Sequence, residues 1–232
     1  MSKPVSNSAS LTSAPFTHEQ TSISRTMLLV MIALLPATVY GIYQFGLPGL
    51  FVFVLTIAAC IIFEAVCLII AGKPVKPYLL DGSAVLTGWL LAMTLPPWSP
   101  WWLATVGAFL AIVVGKQVFG GIGQNLFNPA MVARVALLIA FPLEMTSWVQ
   151  PQTMFSSGAP DFVDSLSITF SGSMPATYDA ISSATILGYV KTEIGRGIPL
   201  HDVLADNYDV LGLATGSVAG SLGETSAILI LL

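Results

Sequence analysis

The residues best placed to do chemistry are Asp179-Ala180-Ile181-Ser182-Ser183-Ala184-Thr185, in the one long polar segment of an otherwise apolar chain. A threonine hydroxyl can carry a phosphoester, and the small Ser183 and Ala184 leave room for a modifying enzyme to close over Thr185. Asp179 sets a carboxylate six positions earlier. The competing reading is a helix start, with Asp179 as N-cap and small residues filling the first turn. Glu64 is a second candidate, deep in an apolar run, with Cys60 four residues before it and Cys67 three after on one helical face. An ionisable group at that depth costs about 2.5–3.5 kcal/mol on insertion scales, so it must face protein or water. It reads as an ion- or proton-path residue, part of a cofactor pocket, or an interhelical hydrogen bond. Glu224 is the second such carboxylate, continuing the four-residue spacing of Gly212, Gly216 and Gly220. A glycine row of that kind admits a neighbouring helix or a flat cofactor.

A third candidate is Phe119 to Met131, F-G-G-I-G-Q-N-L-F-N-P-A-M. Gly120, Gly121 and Gly123 let backbone amides approach a ligand, and Asn128-Pro129 opens a new helix. No Gly-Lys-Ser/Thr follows, and no soluble βαβ unit flanks the glycines, which excludes a P-loop and a dinucleotide fingerprint. A re-entrant loop beside a short helix is expected at 119–128, of the kind that builds binding sites in transporters.

The elements that must position these groups are membrane spans. Hydrophobic residues make up 55% of the 232 and charged residues 9%, with a mean hydropathy of +0.83; soluble domains carry about 25% charged residues. A net charge of −4 without a basic patch excludes a nucleic-acid partner. Cys60 and Cys67 lie about 10 Å apart along one helix, too far for a disulfide. His18 and His201 stand alone, and no cluster offers a metal site. Residues 1–25 lack an apolar h-region and read as a cytoplasmic tail, not a signal peptide.

The pattern predicts an all-α polytopic transmembrane bundle with five full spans and the start of a sixth. The spans are expected at 27–45 (kinked at Pro36), 50–71, 79–95, 102–119 and 128–143, the transmembrane region covering 26–143 as a whole. A polar loop follows at 144–209, and a sixth stretch begins near Leu211 (210–232). That stretch ends within an apolar run, so the chain is expected to continue beyond Leu232. Arg25, Lys73, Lys76 and Lys116 fall on one side, the inside by the positive-inside rule, which places the uncharged loops 46–49 and 96–101 and the loop with Thr185 outside.

Three stretches, Leu80-Asp81-Gly82-Ser83-Ala84-Val85-Leu86-Thr87-Gly88, Phe119 to Met131 and Asp179 to Thr185, together resemble the RnfD family, the D subunits of the Rnf ion-translocating electron-transport complexes. The homologous B subunit of the sodium-translocating NADH:quinone reductase has a similar pattern, with a longer N-terminal region. The spacing D-x-x-S-x-A-T resembles the signal read by flavin transferases, which move the FMN part of FAD onto threonine. Ala180 and Ser183 replace glycines frequent in the family, which bears on turn geometry and not on attachment. The resemblance covers the chain from about Arg25 onward and implies FMN held covalently on Thr185, with Asp179, Ser182, Ser183 and Ala184 as the attachment motif. It also implies a second, non-covalent flavin (riboflavin). Gly120, Gly121, Gly123, Asn125 and Asn128, with Asp81 and Ser83, are the candidates for its pocket. The implied role is electron relay between a ferredoxin and NAD couple, linked to Na+ or H+ movement, with Glu64 and Glu224 as candidate ion-path residues. The chain has no iron–sulfur ligands or nicotinamide fingerprint of its own. Iron–sulfur, NAD-binding and further flavin subunits are therefore expected partners, with a flavin transferase for maturation, in a bacterial cytoplasmic (inner) membrane. The alternatives are a secondary transporter binding a solute at the broken helix, and a structural scaffold component.

Overall fold

The computed structural model describes residues 22–156, 158–172, 186–199, 210–223 and 226–231, and its regular elements are helices. Helix α1, Ile23–Ile70, opens on Ser22, whose side chain accepts the Arg25 N–H. It is continuous apart from Gly46, which sits at φ 72°, ψ −161°, a conformation open to glycine and strained for other residues. Two contacts show that the chain turns back there. Gly82 lies against Met27 and Met31, while the next residue, Ser83, is one side chain away from Glu64 through Lys116. Met27 and Glu64 could not both reach that spot on a straight helix. The two arms therefore run antiparallel, each about 35 Å long, enough for the ~30 Å apolar core of a bilayer. The expected turn at 46–49 is the turn found. Pro36 keeps helical dihedrals, and the break falls on Gly46.

The short α2, Val75–Leu79, leads to α3, Ser83–Thr94. The small residues Ala84, Gly88 and Ala92, four apart, are all buried. They let α3 pack closely between the arms of α1: a Cβ on Gly88 would stand 2.9 Å from Ile57 Cα. Trp89 ties the two arms together, its indole N–H donating to Thr38 on the first at 2.8 Å and its ring meeting Phe53 on the second edge-on, centroids 5.2 Å apart. Helix α4, Trp101–Phe109, passes without a break into a π-helical stretch, Leu110–Gln117. Helices α5, Pro129–Ala140, and α6, Pro142–Thr146, follow, then α7, Phe162–Leu166, with its own π-helical turn Ser167–Ser171. The last described helices are α8, Ile186–Gly195, α9, Val210–Thr215, and α10, Ala227–Leu231.

Two expectations are corrected in length. The stretches read as spans at 79–95 and 128–143 hold helices of 12 residues each, about 18 Å long, because the Asp81-Gly82 turn delays one and Pro142 ends the other. The glycine-faced helix expected from Leu211 stops at Thr215. Gly216 takes φ +91°, and the N–H groups of Gly216 and Ser217 both close on the Gly212 carbonyl. The described chain beyond it is irregular up to Gly223, and Ser221, Leu222 and Gly223 are buried in protein, where such backbone is tolerated. Leu222 N–H donates to the Leu95 carbonyl and Gly223 N–H to that of Met93. Leu222 itself packs against Gly41 and Gly49.

The loops sort to two ends. At one, Trp98 donates its indole N–H to the Phe45 carbonyl at 3.1 Å, Met154 N–H reaches the Tyr43 carbonyl, and Phe162 packs edge-on against Phe51. The Gly46 turn, the Pro96–Pro100 turn and the first part of the polar segment thus share that end. At the other, Lys73 Nζ lies 3.4 Å from the Gly120 carbonyl, so the 72–77 loop and the glycine-rich loop meet near the start of α1.

Candidate functional site

At this second end a lysine is buried in the bundle. Ala108, Ile112 and Lys116 recur every four residues along α4 and its π-helical extension, and this face packs toward Cys60 and Ala84. Lys116 Nζ donates to Glu64 Oε1 at 2.8 Å and to Ser83 Oγ at 2.7 Å. Both members of the ion pair are 2% exposed. Glu64 Oε2 is buried with no hydrogen-bond partner. From sequence alone, Lys116 reads as a flanking charge that marks the inner side. The structure instead makes it the partner of Glu64 between helices, and the four-residue spacing from Ala108 is the signal that could have found it.

Lys116 also lines a cavity of about 470 Å³ between the start of α3, the glycine-rich loop and the start of α5. That is within the ~300–1,000 Å³ typical of cofactor pockets. Its polar lining comes from Ser83, Thr87, Lys116, Asn125 and Asn128, and its apolar walls from Met27, Leu86, Leu90, Ile122, Leu126 and Phe127. Two stretches about 40 residues apart in sequence, both singled out as pocket candidates, meet here. Gly123, at φ +83°, brings bare backbone to the wall. Asn128 caps α5 by accepting the Ala130 N–H at 3.0 Å. Asn125 Oδ1 is buried and accepts nothing.

The other candidates separate. Asp81 accepts the Ser83 N–H at 2.7 Å; it shapes the turn that presents Ser83 and is not in the cavity wall. Gly120 and Gly121 also take positive φ and shape the loop without lining the cavity. Thr87, inside the Leu80–Gly88 stretch but not among the expected pocket residues, lines it. The attachment motif of Asp179, Ser182, Ser183, Ala184 and Thr185 lies outside the described residues, as does Glu224.

A buried acceptor without a donor, an ammonium at the wall and broad apolar faces suit a flat heterocycle with a hydrogen-bonding edge. The residues present therefore fit a flavin ring. A second cavity, of about 390 Å³, lies at the opposite end, lined by Trp98, Ser99, Trp102 and Glu144 and bordered by Gly172.

A strongly apolar helical bundle with an ion pair between its helices and a mixed polar and apolar cavity at one end has the make-up of a membrane-integral protein. The chain belongs to the NQR2, RnfD, RnfE family, whose profile matches residues 10–232. It is 49% identical over 218 residues to the D subunit of the ion-translocating oxidoreductase complex of Rhodobacter capsulatus, covering 94% of this chain and 60% of that relative. The corresponding protein of Stutzerimonas stutzeri is 51% identical over 213 residues, 92% of this chain and 59% of the relative. That of Halorhodospira halophila is 47% identical over 222 residues, 96% and 62%. The chain thus spans about 60% of the length of these relatives.

Proposed function

We propose that this chain is the electron-relaying membrane subunit of an Rnf-type ion-translocating oxidoreductase, carrying FMN as a phosphoester on Thr185 and a second, non-covalent flavin in the 470 Å³ cavity. The observation that carries the cavity assignment is the convergence of Ser83, Lys116, Gly123, Asn125 and Asn128 on one space whose buried acceptor lacks a donor. The covalent assignment rests on the motif Asp179 to Thr185 in a chain of this family.

A bound flavin supplies one- and two-electron chemistry, and the protein supplies position and surroundings. In the cavity, Asn125 and Lys116 would hold the polar edge of the ring, Gly123 would let backbone lie against it, and Leu86, Leu90 and Phe127 would keep water from its faces. Glu64 is the candidate ion-path residue within the described helices, moving Na+ or H+; Glu224 is the second. Neither nicotinamide nor an iron–sulfur centre has a binding motif here. Electrons therefore enter and leave through partner subunits of a bacterial inner-membrane complex, and the Thr185 loop lies on the outer face.

The deciding experiment is a denaturing gel of the complex co-expressed with a flavin transferase. Flavin fluorescence should stay with this chain through denaturation and disappear in Thr185→Val. A chain without fluorescence would favour a solute transporter, which could use the cavity but has no need of the threonine motif.

A further inference from the structure

We infer that the Lys116 ammonium is shared between Glu64 and the occupant of the cavity, so that negative charge on the occupant and a small monovalent cation on Glu64 bind cooperatively. The inference rests on the flavin reading of the cavity and adds a positioning residue to it.

An ammonium has three N–H donors. Two are spent on Glu64 Oε1 and Ser83 Oγ, and the same side chain lines the cavity, which leaves one for an acceptor there. Glu64 stands in the complementary position. One carboxylate oxygen holds Lys116, and the other is buried without a partner. As it stands the cluster is neutral, and neutrality matters where a buried unpaired charge carries a heavy penalty. An occupant that becomes anionic at the cavity wall draws on Lys116 and leaves the cluster with one excess negative charge. A cation on the free oxygen of Glu64 removes that excess. By linkage the effect is reciprocal: a cation on Glu64 frees Lys116 and tightens the hold on an anionic occupant. Among the described residues, Cys60 and Cys67 stand near Glu64 on its own helix, and Lys116 pairs with it from across. The serine anchor is neutral, so it fixes the ammonium without competing for charge.

The cation could be a proton or a metal ion, and the experiment separates them. The assembled complex carrying Thr185→Val, which removes the covalent flavin of this chain, is titrated electrochemically. The absorbance of its acid-extractable flavin is followed as the difference from the same complex carrying Gly123→Ala, so that flavin on partner subunits cancels. Sodium chloride replaces choline chloride at fixed pH, and pH is then varied at fixed sodium. In the otherwise wild-type chain the reduced-to-oxidised ratio at a given potential should rise by up to about tenfold per tenfold increase in the active cation, as one-for-one linkage requires. Glu64→Gln and Lys116→Met should each flatten that dependence, and Lys116→Arg should keep it. Because a flavin takes up protons of its own, the pH arm is read as the difference from Glu64→Gln. Should a single variant fail to assemble, the double variant Glu64→Gln/Lys116→Met, neutral at both positions, replaces it. Flavin present with the same cation dependence in all variants, or with none in the wild type, would overturn the shared-charge inference alone. Absence of acid-extractable flavin would overturn the cavity reading and the inference with it.

Discussion

Glu64 and Lys116 are worth most to the fold as a pair. Removing one partner of a buried ion pair costs about 3–5 kcal/mol, because the other charge is left without compensation, whereas neutral replacement of both is often tolerated. Lys116→Met should therefore lower the melting temperature of the detergent-solubilised complex sharply, and adding Glu64→Gln should recover at least half of the loss. Size-exclusion chromatography after graded heating measures both. Equal losses in the single and double variants would mean that the pair adds nothing beyond side-chain packing. The sequence announces only half of this arrangement. Glu64 stands out because an acid in an apolar run is costly, but Lys116 sits near the end of its run and looks like an ordinary flanking charge. Burial depends on what lies across from a residue, and only the face shared with Ala108 and Ile112 hints at it.

Among the elements, the glycine-rich loop depends most on backbone conformation. Gly123 is at φ +83° with nothing within 4 Å of where a Cβ would be, so a substitution there meets strain and not crowding. Gly123→Ala should cost about 1–2 kcal/mol of loop stability. It should lower the acid-extractable flavin of the complex several-fold while leaving gel fluorescence at Thr185 intact. Loss of both flavins together would instead point to general misfolding. The start of α5 was legible because Asn128-Pro129 is an N-cap followed by an N1 proline, and the hairpin because Gly46 and Pro48 bracket a turn. The break at Gly216 was not, since a glycine every four residues fits a continuous helix as well as an interrupted one. What decides it is the set of free carbonyls at the end of α3, on Met93 and Leu95, which pair with the N–H groups of Gly223 and Leu222.

For the molecule as a whole, the two-ended sorting of loops makes a topological test direct. A cysteine replacing Ser182 should react with an impermeant maleimide in intact cells, and one replacing Lys76 only after lysis. The reverse pattern would invert the proposed orientation while leaving the fold untouched. The short helices α3 and α5 bear on the same scale. Each is well under the ~30 Å bilayer core, whereas each arm of α1, and α4 taken together with its π-helical extension (Trp101–Gln117), is longer. Composition alone could show that the chain belongs in a membrane. It could not show which apolar runs are shortened by a turn, since Asp81-Gly82 and Pro142 interrupt backbone without much changing mean hydropathy.

The 52 residues separating Glu64 from Lys116 set an order of events during synthesis. At roughly 5–20 residues per second, the acid leaves the ribosome several seconds before the lysine that will neutralise it. In that interval the first hairpin is the least willing part of the chain to stay in lipid. It has to wait at the insertion machinery until Lys116, in the stretch beyond α4, arrives to complete it.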